Sequence, residues 1–249
     1  MCQMFEFSLF SGVSSIEDTR ELPCNIMRDM GYKVQSILVD ERLQGDSSSR
    51  SAEALRVSLR MGESAIIIGE VRGAEARVLY ESMRTGKAGS SIMGTIHGDS
   101  AQTVFQRVVH DMGISPEAFM ATDILVTIGD YRDRKTGAKT RRVNEIAGTT
   151  NKPGEFVGLS AEDLDFNVPV MRRALSTASM SETEAGNEIR ARSRLRGMLA
   201  ELGKEGREEF LAPKWIIAAN ETVARMSGRS PEEIESAFRV RIRDSGGRP

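Results

Sequence analysis

The sequence predicts an α/β protein built on a parallel sheet, followed by an all-helical C-terminal region. Short β-branched runs alternate with apolar residues at helical spacing up to about residue 160, which is typical of a parallel sheet with crossover helices. Beyond that point the apolar residues recur only at helical spacing among charges. We therefore expect two domains, 1–160 and 161–249.

Four strands are predicted in the first hundred residues, at Val13–Ile16, Lys33–Val39, Ile66–Ile68 and Ile92–Ile96. The isoleucine run at 66–68 is bounded by turn signals, as expected for a central parallel strand that is buried on both faces. Two further strands, at 124–128 and 142–146, are separated by a charged turn at 130–139. We expect all six to contribute to the parallel α/β core.

Helices are predicted between these strands from apolar spacing, at 52–61, 73–83 and 104–112. The serine-rich tract Leu43–Ser51 is predicted to be a loop. Three more helices follow in the C-terminal region, over 182–203, over 215–226 and from Ser230-Pro231 onward, where a capping serine precedes a first-turn proline. The polar tail from Arg239 is expected to fray.

Composition excludes several functional classes. A net charge of −2 gives no reason to expect a nucleic-acid partner. The two cysteines, Cys2 and Cys24, have neither metal-ligand spacing nor a disulfide framework, which favours a reducing compartment. No run of about 18 apolar residues is present. We therefore expect a cytoplasmic protein that does not bind nucleic acid.

The best candidate for a functional residue is Glu70, which directly follows the predicted central strand. A carboxylate at the carboxyl end of a parallel strand can hold the hydration shell of Mg²⁺ or orient an attacking water. Taken alone, such a segment is more often a strand that simply ends in a solvated acid. Its context decides between the two interpretations.

Further polar residues follow neighbouring strands. Glu17 and Asp18 come after the first strand, where they are either a second acidic pair for phosphoryl-transfer chemistry or simple turn acids. His97 ends the strand at 92–96 and is suited to contact a γ-phosphate, although a single histidine there is more often structural. Arg20 and Arg72 are candidate phosphate clamps or ordinary surface ion-pair partners.

The order of these segments resembles the type II/type IV secretion ATPases, most closely their archaeal branch. Ile16–Pro23 resembles the aspartate box of that family, Leu59–Ala76 its Walker B region and Gly94–Ser100 its histidine box. The resemblance covers about residues 14–130. It implies a partial RecA-like (P-loop NTPase) core that binds ATP and Mg²⁺, with Glu70 (through water to Mg²⁺) and Glu17 as catalytic acids. Asp18, His97, Arg72 and Arg20 would lie near the nucleotide.

The family also implies a hexamer of homologous ATPase subunits at the inner face of the cell membrane, together with a polytopic membrane platform protein. ATP hydrolysis would power protein secretion or the assembly of a pilus or archaellum. The sequence contains no Walker A loop, because Thr85-Gly86-Lys87-Ala88 lacks the required Ser/Thr and follows the Walker B strand. We therefore expect a truncated or split ATPase with weak activity by itself. The alternative is a non-catalytic subunit that assembles with intact homologues or a platform protein.

Overall fold

The computed structural model describes residues 11–39, 47–62, 65–85, 91–160 and 164–244. These residues divide into two compact units. The sheet unit comprises the described residues up to Leu159 together with Val168–Val170, and the helical unit comprises the rest. Residues 1–10 and the last five residues lie outside the described residues, as do Gly86, Lys87 and Ala88 of the Thr85–Ala88 sequence.

The sheet unit contains a four-stranded parallel sheet in the order β2-β1-β3-β4. Its strands are β1 (Gly12–Glu17), β2 (Lys33–Leu38), β3 (Ala65–Ile68) and β4 (Ser91–Gly94). All four residues of β3 are buried, as expected for a central strand between two parallel neighbours. The predicted parallel α/β core is confirmed for these four strands. Because parallel strands run in the same direction, the carboxyl ends of β1, β3 and β4 lie at one edge of the sheet. The candidate residues follow these three ends.

Helices cover this sheet and form its core. They are α1 (Cys24–Asp29), α2 (Ser47–Arg60), α3 (Ala74–Thr85), α4 (Ala101–Gln106) and α5 (Pro116–Phe119), with a π-helical turn at Arg107–Asp111. Leu55, Leu79 and Val108 pack with the β3 isoleucines in one apolar cluster. Tyr80, Phe105, Phe119 and Phe156 add an aromatic group with ring centroids 5.0–6.2 Å apart.

The remaining strands form a separate antiparallel sheet, in the order β5-β6-β7. Its strands are β5 (Ile124–Arg132), β6 (Lys139–Thr149) and β7 (Phe156–Gly158). The expectation that β5 and β6 join the parallel sheet is therefore wrong. The turn between them is too short for a crossover, so the two strands pair as a hairpin.

The helical unit contains three helices around an aromatic core. They are α7 (Glu182–Lys204), α8 (Pro213–Arg225) and α9 (Pro231–Asp244), and α6 (Pro169–Ala178) precedes them in the chain. Trp215 is fully buried and contacts Phe210 and Phe238, with ring centroids 4.7 and 6.3 Å away. A capping box at Ser181 and Glu184 begins α7. The expected all-helical C-terminal region is confirmed.

Two local expectations are corrected. The predicted loop at 43–51 is wrong from Ser47 onward, because α2 begins there and the serines form its first turn. The expected fraying from Arg239 is wrong as far as Asp244, because Phe238 and Ile242 are buried and hold the end of α9 in the core. Among the described helices, none has the length and apolar character needed to cross a bilayer.

Candidate functional site

The loop that carries Glu70 is fixed to the strands on both sides of β3. The Gly69 amide donates to the Ile16 carbonyl of β1 at 2.8 Å, and the Val71 amide donates to the Thr95 carbonyl at 2.9 Å. The Thr95 hydroxyl donates in return to the Gly69 carbonyl. These bonds extend the sheet past the end of β3, so the backbone on either side of Glu70 is held in place.

Four predicted site residues form one charged cluster at this edge. The Arg72 guanidinium contacts the Glu70 carboxylate directly and contacts Asp18 Oδ2 at 3.2 Å. His97 Nε2 lies 3.3 Å from Glu70 Oε1, an ion pair when the imidazole is protonated. The Glu70 side chain is 23% exposed and that of His97 is 77% exposed. The cluster is thus open to solvent on the His97 side, where a ligand has access.

Glu17 occupies a different environment from Asp18. It is 4% exposed, and its Oε1 accepts the backbone amides of Glu21 and Leu22 at 2.9 and 2.8 Å. Its Oε2 lies 3.4 Å from the Ser15 hydroxyl. Glu17 therefore holds the loop after β1, and that loop presents Asp18 to Arg72. The expected catalytic role of Glu17 stays a prediction.

A second buried acid, Glu75, has no assigned role in the sequence-based prediction. It is 2% exposed, and its Oε1 accepts the amides of Arg72 and, at 2.8 Å, of Gly73. The signal in the sequence was an acid in the first turn of α3, where carboxylates are favoured by the free amides and the helix dipole. Glu75 thus positions the backbone of the residue that joins the cluster.

Arg20 does not join this cluster. It is exposed, and it forms no ion pair with a side chain in the part of the chain that the structure describes. Its predicted role near a nucleotide remains untested. The structure therefore brings together Asp18, Glu70, Arg72 and His97. The Glu17 side chain is buried against the loop after β1, and Arg20 does not contact the cluster.

A cavity of about 550 Å³ opens beside Glu70 and His97. Its other walls come from the end of β4 and from the residues of β5 between Ile124 and Ile128. Thr127 is 4% exposed, and within the described chain its Oγ1 has no hydrogen-bond partner. The lining of the cavity therefore mixes apolar side chains with charged ones, which include Asp130 and Arg141 as well as Glu70.

The carboxylates suit a metal that arrives with a phosphate ligand. No group of three or more metal-ligating side chains occurs among the described residues. Mg²⁺ commonly binds through one or two carboxylates together with the phosphates of its substrate, so Glu70 and Asp18 fit that pattern. Both currently contact Arg72, which a phosphate can also engage.

Sequence comparisons identify a family and two similar proteins. The family model described as "Type II/IV secretion system protein" matches residues 11–142, more than half of the 249-residue chain. Two uncharacterized proteins of Methanocaldococcus jannaschii are similar. MJ0900 is 28% identical over a match that covers 46% of this chain and 20% of MJ0900. MJ1287 is 25% identical over a match that covers 64% of this chain and 62% of MJ1287. The chain thus spans less than two thirds of either relative.

Three solved structures are distantly similar to this chain. The VirB11 ATPase of Brucella suis, solved with sulphate, has a TM-score of 0.44 and 19% identity over 59% of this chain and 46% of its own. The DotB ATPase of Legionella pneumophila has a TM-score of 0.45 and 12% identity, and the match covers 94% of this chain and 52% of DotB. The pilus retraction motor PilT, solved with ADP, has a TM-score of 0.43 and 17% identity, and the match covers 72% of this chain and 47% of PilT. On the match of residues 11–142, this chain belongs to the type II/IV secretion system protein family.

Proposed function

We propose that the chain supplies the acidic, water-facing side of an ATP hydrolysis site in a machine for protein secretion or filament assembly. The observation that carries the proposal is the contact of Glu70 with both Arg72 and His97 at the carboxyl edge of the parallel sheet. Ligands of α/β sheets commonly bind at this edge. Membership of the secretion family supports the choice of ATP.

Each cluster residue has a proposed part in this reaction. Glu70 orients the attacking water and accepts its proton, and His97 contacts the γ-phosphate from the exposed side. Asp18 and Arg72 exchange their mutual ion pair for contacts to the hydrated metal and the phosphate oxygens. When bound, Mg²⁺ would neutralise charge on the phosphate oxygens. We propose Arg20 as a second arginine that contacts the phosphates.

We propose that Glu17 contributes to the site by holding the loop that carries Asp18. Its carboxylate is buried against backbone amides, so its direct effect is to hold Asp18 in position. A Glu17→Gln substitution should therefore lower the stability of the sheet unit as well as any activity. A loss of activity at unchanged stability would instead support direct catalysis by Glu17.

The assembly proposed for the chain follows the family. Homologous ATPase subunits would form a hexamer on the cytoplasmic side of the membrane and contact a polytopic platform protein. Residues 1–160 would carry the ATPase core and residues 161–249 a separate helical domain. We further propose that this chain is a truncated or split ATPase whose phosphate-binding loop comes from another polypeptide segment, so the 249-residue chain hydrolyses ATP weakly by itself.

The site can be tested by NMR because the chain has only two histidines, His97 and His110. His97 lies in the cluster, whereas His110 is exposed on the helical turn after α4 and provides an internal control. Titration with Mg²⁺ and a slowly hydrolysed ATP analogue should shift the ring protons of His97 and leave those of His110 unchanged. We expect affinity on the order of millimolar, or roughly −4 kcal/mol.

Two variants make this experiment specific. Glu70→Gln should abolish the His97 response, whereas Glu117→Gln, which changes an exposed acid on α5, should preserve it. Equal shifts of both histidines, or no shift of His97 with millimolar Mg²⁺ and analogue, would contradict the proposed site. Rapid Mg²⁺-dependent turnover by the chain alone would contradict the proposed need for a second segment.

The second candidate is a non-catalytic subunit, favoured by the fact that both Glu70 oxygens already have partners in this chain. Such a subunit would assemble with intact homologues or a platform protein without binding nucleotide. Affinity purification of the tagged chain from its own cells would distinguish the two. Recovery of a homologue together with an unresponsive His97 would favour this candidate, and recovery of the chain alone would oppose it.

A further inference from the structure

The segment that carries His97 is anchored at both ends. At its start, the Thr95 hydroxyl donates to the Gly69 carbonyl, which ties the segment to the loop after β3. At its end, the backbone amide of Ala101, the first residue of α4, donates to Glu145 Oε2 at 2.7 Å. Glu145 lies on β6, so this second anchor comes from the antiparallel sheet. The position of His97 therefore depends on contacts with both sheets.

The short segment between the two anchors is packed against the first turn of α4. The Ser100 hydroxyl accepts the Thr103 amide at 3.1 Å and begins the helix. A Cβ atom at Gly98 would lie 2.5 Å from Val104 Cγ2, so the lack of a side chain there lets the segment lie directly on the helix. Because of this packing, a displacement of the start of α4 would displace His97 as well.

Glu145 satisfies an amide that α4 does not satisfy by itself. The first amides of a helix have no intrahelical acceptor, and a carboxylate is favoured at this end of the helix dipole. Ser100 accepts the amide of Thr103, and Glu145 accepts that of Ala101. Ala101 is 1% exposed, so removal of the carboxylate would leave a buried donor without its partner.

A β-bulge in the β5–β6 hairpin directs Glu145 toward α4. Thr127 pairs with Glu145. The next residue of β5, Ile128, pairs with Val143, so Asn144 is an extra residue in β6. Because side chains alternate between the faces of a strand, Glu145 would otherwise share the face of Val143, which is 55% exposed. With the bulge it shares the face of Thr127, which is buried, and bulges commonly redirect a side chain in this way next to functional sites.

The extra residue is held by its own contacts. The Tyr131 hydroxyl donates to Asn144 Oδ1 at 2.7 Å. A Cβ atom at Gly129 would lie 2.6 Å from Asn144 Nδ2, so the glycine leaves room for this side chain. These contacts fix the bulge at one place in the hairpin, and they thereby keep Glu145 opposite the start of α4.

We propose that Glu145 is a positioning residue for His97, which it holds beside Glu70 by fixing the start of α4 to the β5–β6 hairpin. Glu145 acts through the Ala101 amide and not on the reacting atoms. A change in the position of the hairpin would therefore be transmitted to the residue that is proposed to contact the γ-phosphate. This inference rests on the proposed function, since it assigns a regulatory contact to that same site.

Three substitutions of Glu145 separate the hydrogen bond from the charge in the full 249-residue chain. Glu145→Ala removes the acceptor. Glu145→Asp keeps the charge but shortens the side chain, which withdraws the carboxylate from the Ala101 amide. Glu145→Gln keeps an acceptor oxygen at the original reach. Glu155→Ala is the matched control, because that carboxylate is exposed and bonds to the Thr150 hydroxyl within its own loop.

Amide hydrogen exchange measures the anchor itself. Exchange at Ala101 should become at least about tenfold faster in Glu145→Ala and Glu145→Asp, because the buried amide loses a charged acceptor. Exchange at Ile67, in the buried central strand β3, should stay unchanged. A general loss of stability would instead accelerate both amides. The anchor is therefore distinguished from a purely structural role.

A nuclear Overhauser effect measures the position of His97. In the unmodified chain His97 Nε2 lies 3.3 Å from Glu70 Oε1, so the ring protons of His97 should show this effect with the Glu70 side chain. We expect Glu145→Ala and Glu145→Asp to lose the effect. Glu145→Gln should restore it, and Glu155→Ala should retain it.

Three results would overturn the positioning role. They are unchanged exchange at Ala101 in Glu145→Asp, a His97–Glu70 effect that persists in that variant, and a Glu145→Gln variant that behaves like Glu145→Asp. The last result would show that the bond to Ala101 is not the cause. If Glu145→Ala does not fold, the comparison of Glu145→Asp with Glu145→Gln gives the same decision.

The proposed function fails separately from this inference. If Mg²⁺ and the ATP analogue do not shift His97 in the unmodified chain but Glu145→Asp loses the His97–Glu70 effect, Glu145 positions His97 and the ATP site is wrong. If His97 responds to the analogue and the effect persists in Glu145→Asp, the ATP site stands and the positioning role does not.

Discussion

The Arg72 guanidinium lies 3.2 Å from the Asp18 carboxylate, although the two residues are 54 positions apart in the chain. The contact joins the loop after β1 to the loop after β3, and the same guanidinium also contacts Glu70. Arg72 therefore holds two acids together at the edge of the sheet. In the absence of a ligand it partly neutralises a cluster of like charges, which would otherwise repel one another.

The Arg72–Asp18 pair should contribute little to the free energy of unfolding. Both side chains are partly exposed, at 54% and 35%, and exposed ion pairs typically contribute about 0.2–1 kcal/mol. A double-mutant cycle with Arg72→Ala and Asp18→Asn, followed by urea unfolding, should give a coupling energy below about 1 kcal/mol. A coupling above about 2 kcal/mol would show that the pair has a structural role, contrary to the exchange proposed here.

Glu75→Ala should destabilise the sheet unit by about 2–3 kcal/mol. The substitution leaves the amides of Arg72 and Gly73 without their buried carboxylate partner, and hydrogen bonds to charged groups are stronger than neutral ones. Urea unfolding followed by circular dichroism measures the change. Glu117→Ala, at an exposed first-turn acid of α5, is the control and should cost less than about 0.5 kcal/mol. Similar values for both variants would contradict the assigned role of Glu75.

Trp215→Ala should destabilise the helical unit by about 3–5 kcal/mol because it opens a cavity between Phe210 and Phe238. Trp215→Phe should cost clearly less. It keeps an aromatic ring, and the Nε1 atom that it removes has no hydrogen-bond partner within the described residues. Urea unfolding followed by circular dichroism at the helix minimum compares the two. Equal losses would indicate that the indole nitrogen has a partner in solution.

The sheet unit should lose stability in alkali through Tyr80. Burial raises the pKa of the Tyr80 phenol, and the opposing hydrogen bond with Thr122 does not cancel this effect. The folded state thus favours the neutral phenol, so the stabilisation is complete below the unfolded pKa of about 10 and declines as the pH rises above it. Tyr80→Phe should flatten the dependence of the urea midpoint on pH above about 10. Tyr131→Phe changes an exposed tyrosine, and a similar flattening there would contradict the assignment.

Local patterns predicted most of the individual elements. The Ile66–Ile68 run predicted the central strand because a strand that is buried on both faces is apolar at every position. The helical stripes at Leu195–Leu199 and Trp215–Val223 predicted α7 and α8 because helical periodicity depends only on neighbouring residues. The start of α2 at Ser47 was missed, since serine is common both in loops and in first turns of helices.

Pairing between distant segments was harder to predict. The sequence indicated strands near 124–128 and 142–146 but not that they form a separate antiparallel sheet. The pattern of a single strand carries no information about which neighbour it pairs with. For the same reason the role of Glu75 was missed, because an acid in the first turn of a helix is most often solvated, and only the burial of this one reveals its function.

The sequence by itself determined the order of the candidate residues along the chain. Acids follow β1, Glu70 follows β3 and His97 follows β4, in a pattern that resembles a secretion ATPase. Only the tertiary structure decided that Arg72 joins Asp18 to Glu70, that Glu17 turns inward to its own loop, and that a cavity opens between the end of β4 and β5. The physical reason is that motif order is set by covalent connectivity. Ion pairing, burial and the walls of a cavity depend on residues that are brought together across the sheet.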